Sequence, residues 1–157
     1  MATEGELGGT GGRQGSWPAE PGALGVGGER GILDTSVLID IEHLDPERLP
    51  TETFITAISL AELAAGPQAT EDEAERARRQ ERLLWAATTW EPLPFDGQAA
   101  RSYGTVFAAV RAAGRRARPR LADLFIAAIA LSRGLPLYTR NPDDFRGLEA
   151  LVPIVVV

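Results

Sequence analysis

Ile32-Leu33-Asp34-Thr35-Ser36-Val37-Leu38-Ile39-Asp40 is the stretch that decides the fold. Its first three residues predict the end of a short buried strand that finishes on a carboxylate. Val37 to Ile41 then predict the start of a helix. Downstream, Phe54 to Ile58 is apolar and partly β-branched and predicts a second strand. Ser59-Leu60-Ala61-Glu62-Leu63 follows as a helix start, with Ser59 as the expected N-cap and Glu62 in the first turn. Gly66-Pro67 closes that helix. Glu71 to Trp90 mixes charges with Ala, Leu and Trp at amphipathic spacing, which predicts a long helix. Trp90 to Phe95 carries prolines and is at best an edge strand. Gln98 to Ala113 is helical in pattern, closed by Gly114. Leu121 to Arg133 is a strongly apolar helix ended by Gly134. Pro136 to Thr139 and Val152 to Val157 predict the last two strands. Strands alternating with helices imply an α/β fold, an α/β/α sandwich around a mainly parallel sheet.

The chain has 157 residues, 44% hydrophobic and 24% charged, which suits one folded domain with a core of its own. Residues 1–30 differ from the rest. They are glycine-rich, with few large apolar side chains, and predict a disordered extension ahead of a folded domain at 31–157. Their glycines do not stand between a strand and a helix, so they make no phosphate-binding loop. The N-terminus lacks the basic start and apolar core of a signal peptide, and no apolar run reaches the roughly 18 residues of a membrane span. The expectation is a cytoplasmic protein without membrane contact.

Cysteine is absent and histidine occurs once, as His43. Disulfides, thiolate zinc sites, cysteine nucleophiles and His-rich metal sites are thereby excluded. No nucleophile-elbow motif accompanies His43. Any chemistry has to run on carboxylates, hydroxyls and arginines.

In a parallel α/β sheet, ligands bind beyond the carboxyl ends of the strands. Four acids fall at such ends or at the helix starts that follow. Asp34 ends the first strand, Glu62 follows the second, Asp123 opens the apolar helix, and Asp144 follows the strand that ends at Tyr138-Thr139. Converging carboxylates repel one another, so protons or a cation must offset them. Oxygen donors without His or Cys select Mg²⁺ or Mn²⁺, and metal-assisted phosphodiester hydrolysis is the natural reaction class. Each acid has a plainer reading. Asp34 is also a candidate helix cap, Glu62 a helix-dipole partner, and Asp143 and Asp144 part of a turn. Asp123 is the hardest to explain away, because the helix around it is so apolar.

The net charge is −6, which taken alone argues against nucleic-acid binding. The distribution argues otherwise. Arg111, Arg115, Arg116, Arg118 and Arg120 crowd the approach to the apolar helix, and predict a guanidinium rim for phosphates beside an acidic metal centre. Arg76, Arg78, Arg79 and Arg82 alternate with Glu and predict a salt-bridged helix face.

These residues resemble the motifs of PIN-domain nucleases. Ile32 to Asp40 resembles the opening motif, and Ser59 to Leu63 with Gly66 the second. Asp123-Leu124-Phe125-Ile126-Ala127-Ala128 with Gly134 to Leu137 resembles the third, and Thr139-Arg140-Asn141 with Asp144-Phe145 the fourth. Size and order are similar to the VapC toxins of VapBC toxin–antitoxin pairs, over residues 31–157. The resemblance implies an endoribonuclease dependent on Mg²⁺ or Mn²⁺, with Asp34, Glu62, Asp123 and an acid of the last motif at or next to the metal. Asn141 stands where the family can carry that acid, so the resemblance implies either that Asp144 takes over or that a second metal binds weakly. Thr35, Ser36 and Thr139 match small hydroxyl positions that could hold waters or phosphate oxygens. With Asn141, Arg115, Arg116 and Arg118 they form the expected substrate-binding set. A VapB-like antitoxin that blocks the site, and a homodimer, are also implied.

Two rival readings set the limits. A HAD-like phosphatase also starts from a strand-end Asp, but needs a second Asp where Ser36 stands and a lysine this chain lacks. A catalytically weak module that binds RNA or antitoxin is the other, with Asn141 as its support.

Overall fold

The computed structural model describes residues 30–117 and 120–157. The extension expected over 1–30 lies outside the described residues, except Arg30, which opens the first strand. Elements follow in the order β1 (Arg30–Leu33), α1 (Thr35–Asp40), β2 (Glu52–Phe54), α2 (Ala57–Ala65), α3 (Glu73–Thr89), α4 (Gly97–Ala112), α5 (Leu121–Arg133), β3 (Leu137–Thr139) and β4 (Ile154–Val156).

The sheet order is β2-β1-β3-β4, and every pairing is parallel. Side chains alternate across it with the period of 2 that a strand imposes. Ile32, Phe54 and Leu137 enter one core with Val106 and Val110 of α4 and Leu124, Ile126 and Ile129 of α5. Leu33, Ile55 and Tyr138 enter the other, with Val37 and Leu38 of α1, Leu63 of α2 and Ala86 of α3. Helices therefore cover both faces, as a parallel sheet requires. β1 is central, and the residue that follows it emerges in the middle of the carboxyl edge.

Two boundaries differ from the sequence reading. β2 ends at Phe54 rather than running to Ile58, and the cap of α2 is Thr56, not Ser59. The Thr56 hydroxyl accepts from the Ser59 backbone N–H at 3.1 Å. The apolar β-branched run masks this cap, because Ile55 and Thr56 remain extended but pair with Leu93 instead of β1. The Leu93 N–H donates to the Ile55 carbonyl, and Ala57 N–H donates to the Leu93 carbonyl, both at 2.9 Å. The expected edge strand from Trp90 to Phe95 shrinks to this single bridge. Pro92 and Pro94 flank Leu93 and have no N–H with which to extend the ladder.

Two glycines are dictated by geometry. Gly134 closes α5 with φ of 63°, a left-handed conformation that a side chain disfavours. At Gly31 the constraint is space: an added Cβ would lie 2.7 Å from Tyr138 Cδ2 and nearer still to Cε2. Tyr138 is itself buried, so its ring cannot swing away. We predict that Gly31→Ala destabilises the fold by about 1–3 kcal/mol, the usual cost of overpacking. Urea denaturation checks this, and an unchanged midpoint would show that Tyr138 has room to move.

Candidate active site

Asp34 is only 4% exposed. Its backbone N–H donates to the Tyr138 carbonyl at 3.0 Å, so the β1–β3 ladder carries it to the carboxyl edge. A carboxylate there needs donors on both oxygens. Oδ1 accepts from the Ser36 hydroxyl at 2.6 Å and the Val37 N–H at 3.1 Å. Oδ2 accepts from the Thr139 hydroxyl at 2.6 Å. The hydroxyl directions are fixed in turn by the backbone. Arg140 N–H donates to Ser36 Oγ at 3.0 Å, and Asn141 N–H donates to Thr139 Oγ1 at 2.9 Å. An N–H can only donate, so each hydroxyl is left with its proton for Asp34. Burial pushes the Asp34 carboxyl above its ordinary value, and the bonds from Ser36, Thr139 and the backbone pull it part of the way back.

Asp34 also caps α1 through Val37, so the cap role and the site role coexist. The neighbouring Thr35 hydroxyl donates to Glu62 Oε2, which ties α1 to α2. With Thr56 as the cap, Glu62 lies beyond the first turn of α2 and is exposed. Its tie to Thr35, rather than the helix dipole, accounts for where it sits. Asp123 does lie in the first turn of α5. Asp144 sits in a short 3₁₀ turn, Pro142–Phe145, with Oδ1 3.6 Å from Arg120 Nη1.

Asp123 reports on the whole group. Its carboxyl is pushed up to about 7, first by burial and then by the negative charges of Asp144, Glu62 and Asp34, with Arg120 opposing. Three of the four acids expected from the sequence therefore act on the fourth, Asp123.

The hydroxyls and arginines are deployed differently from expectation. Thr139 is completely buried and its proton is committed to Asp34, as is that of Ser36. Both orient a carboxylate, and neither hydroxyl is left to hold a phosphate. The Arg115 guanidinium, expected on the rim, donates from Nη1 to the carbonyls of Asp143 at 2.7 Å and Arg146 at 3.3 Å. Arg116 is exposed on the α4–α5 connection. Arg118 lies outside the described residues. Asn141 is exposed, and its side chain caps nothing in the turn it opens. Within the arginine group, composition alone does not single out Arg120. Its signal was its position, immediately before α5 and three residues before Asp123.

Among the described residues, no three acidic side chains close tightly enough to ligate one ion together. The charges of Asp144, Glu62 and Asp34 nonetheless all bear on Asp123. That combination fits a small, hard divalent cation, which keeps much of its water and takes one or two carboxylates directly. No helix of the described residues is long and apolar enough to cross a membrane.

Comparison with known proteins gives the family. The PIN domain family matches residues 32–151, and the chain belongs to that family. Within it, the similarity is to VapC proteins. The chain is 38% identical over 130 residues to "Ribonuclease VapC5" of Mycobacterium tuberculosis, covering 81% of this chain and 93% of that one. It is 30% identical over 136 residues to "VapC ribonuclease Y4jK" of Sinorhizobium fredii, covering 78% and 96%. Among solved structures, the VapBC-5 toxin–antitoxin complex of M. tuberculosis matches with a TM-score of 0.71 and 36% identity, over 82% of this chain and 98% of that chain. A DNA-bound VapBC from Salmonella typhimurium matches with a TM-score of 0.61 and 26% identity, over 82% and 96%.

The raised Asp123 and Asp34 values set a sign for stability. A carboxyl whose folded value lies above its unfolded value favours the fold while protonated. That contribution is full below about 4 and is lost as pH rises through about 7. Glu75 and Asp96, both partly exposed, are shifted the other way, so their effect falls at lower pH. We predict that the cation-free melting temperature drops between pH 5.5 and 8, that Asp123→Asn flattens most of the drop, and that millimolar Mg²⁺ restores stability at pH 8. Thermal melts check all three. A flat profile in the wild-type protein would contradict the coupling.

Proposed function

We propose that this chain is a divalent-metal-dependent endoribonuclease, the toxin half of a toxin–antitoxin pair, with Mg²⁺ at the acidic edge and Mn²⁺ able to replace it. The observation that carries the proposal is the Asp123 carboxyl, held near 7 by burial and three other carboxylates. Acids gathered at the carboxyl edge of a parallel sheet, without His or Cys, match hard-cation chemistry. The relatives named as VapC ribonucleases supply the substrate class.

Asp34, Glu62, Asp123 and Asp144 are the residues that would hold the cation. Once bound, it supplies Lewis acidity for a water and for a phosphoryl oxygen. The chain's own contribution is orientation. Ser36 and Thr139 fix both oxygens of Asp34, and Thr35 fixes Glu62. Arg116 and Arg118 are the candidates for phosphate contacts, with Asn141 and Thr35 bordering the substrate. Looped or single-stranded RNA suits such a rim, because its backbone and bases are open. The solved VapBC complexes support a VapB-like antitoxin as partner, and a cationic side chain from it would complement the acidic edge.

We predict that the purified, antitoxin-free protein cuts an RNA pool with Mg²⁺ and not with EDTA. Asp34→Asn and Asp123→Asn should each lower the rate more than about 100-fold, beyond the usual effect of losing an outer partner of a metal site, with little loss of folding in Asp123→Asn and a folded but less stable Asp34→Asn, whose amide NH₂ cannot accept the Thr139 proton. Gel analysis of cleavage, beside circular dichroism, decides this. Asp34→Asn cutting at the wild-type rate would overturn the assignment. A folded wild-type protein that cuts nothing with any divalent cation would favour the binding module instead.

A further inference from the structure

Arg115 and Arg120 do something the nuclease reading does not require of them. Both place Nη1 on the same acceptor, the Asp143 carbonyl, from positions 28 and 23 residues away in sequence. Arg115 spans on to the Arg146 carbonyl, so it grips the turn at both ends. Arg120 adds an ion pair to the Asp144 carboxylate at 3.6 Å. The turn they hold, Pro142–Phe145, has no side-chain cap of its own.

A second observation shows that this turn is seated against α4. Gly147 adopts φ of 94°, and a Cβ added there would lie 2.8 Å from the Ala113 Cβ and 3.9 Å from the Ala109 carbonyl. The backbone after the turn therefore runs directly over the end of α4, and the arginines bracket it from the α4–α5 connection. Asp34 joins β1 directly to α1, Glu62 lies in α2 and Asp123 in α5, whereas Asp144 sits in a short 3₁₀ turn. It is also the acid whose charge weighs most on Asp123.

We propose that Arg115 and Arg120 form a clasp that positions Asp144 for the cation. Arg120 and Arg115 are positioning residues that act through Asp144, and Arg115 is accordingly withdrawn from phosphate contacts. This rests on the metal-dependent reading of the site, but not on the identity of the substrate. The clasp makes a prediction opposite in sign to simple electrostatics. Removing a positive charge from beside a cation site should tighten cation binding if charge is all that matters. Removing a clasp should loosen it, because Asp144 is no longer held.

The test is Mn²⁺ binding by the full chain, followed by calorimetry, with circular dichroism melts to show that each variant is folded. The expected result is that Arg120→Gln and Arg115→Gln each weaken Mn²⁺ binding about tenfold, the usual scale for a residue that orients a metal ligand. Arg120→Lys, which keeps the ion pair and one donor to the carbonyl, should recover most of the affinity. In an Asp144→Asn background, Arg120→Gln should bring no further loss. Unchanged or tighter binding in Arg120→Gln overturns the clasp, as does a loss that persists without Asp144. If Arg120→Gln does not fold, Arg115→Gln and Arg120→Lys still decide: wild-type affinity in the first, or a full loss in the second, overturns it. RNA cleavage plays no part in this readout. A wild-type protein that binds Mn²⁺ and cuts no RNA therefore fells the nuclease reading separately, whereas one that binds no Mn²⁺ fells the metal site and the clasp with it.

Discussion

A buried carboxylate at the end of a central strand is the constraint on which the rest of this molecule depends. Asp34 leaves β1 where the sheet is covered on both faces, and its charge has almost no access to bulk water. Such a group is tolerated only where the protein supplies hydrogen-bond donors. Two neighbouring elements do so, and a third aims their hydroxyls. α1 supplies Val37 N–H and the Ser36 hydroxyl, and β3 supplies the Thr139 hydroxyl. The backbone beyond β3 supplies the N–H groups that aim those hydroxyls. Strand order, helix start and loop path therefore meet in one carboxylate. Its orientation is as fixed as the sheet that carries it.

The other acids are less protected and more exposed to one another. Asp123 stands on the apolar helix α5 and would be costly to ionise beside Asp144, Glu62 and Asp34. Arg120 opposes them in the balance that sets its proton affinity, but burial and the three carboxylates outweigh it. A divalent cation, with the phosphate it brings, would complete the charge balance at the pH where the acids are ionised. On the proposed function, the net charge of −6 and action on a polyanion are compatible, since the negative centre is the part that the cation would neutralise.

Much of this was legible in the sequence, for physical reasons. Ile32-Leu33-Asp34 pairs apolar burial with a terminal acid, and Asp123 interrupts an otherwise apolar helix, so both announced themselves. The helices α3, α4 and α5 were found within a few residues because their apolar spacing is long and regular. The end of β2 was hidden, since the β-branched residues after Phe54 suit a strand and only their pairing with Leu93 shows where the sheet stops. The roles of Thr139 and Arg115 were hidden for another reason. A threonine hydroxyl bound to an acid 105 residues away, or an arginine on a carbonyl 28 residues away, leaves no local pattern. Residue type suggested phosphate contacts for both, whereas distance in three dimensions gave them to the scaffold.

The central claim is that four carboxylates share one electrostatic site, and the most direct measurement is the titration of Asp123 itself. Carbon-13 NMR of the Asp123 carboxyl in cation-free protein should show a midpoint about 7. That midpoint should move down in Asp144→Asn and in Glu62→Gln, and fall further when Mg²⁺ is added. A midpoint in the ordinary carboxyl range near 4, unmoved by either substitution or by the cation, would contradict the account.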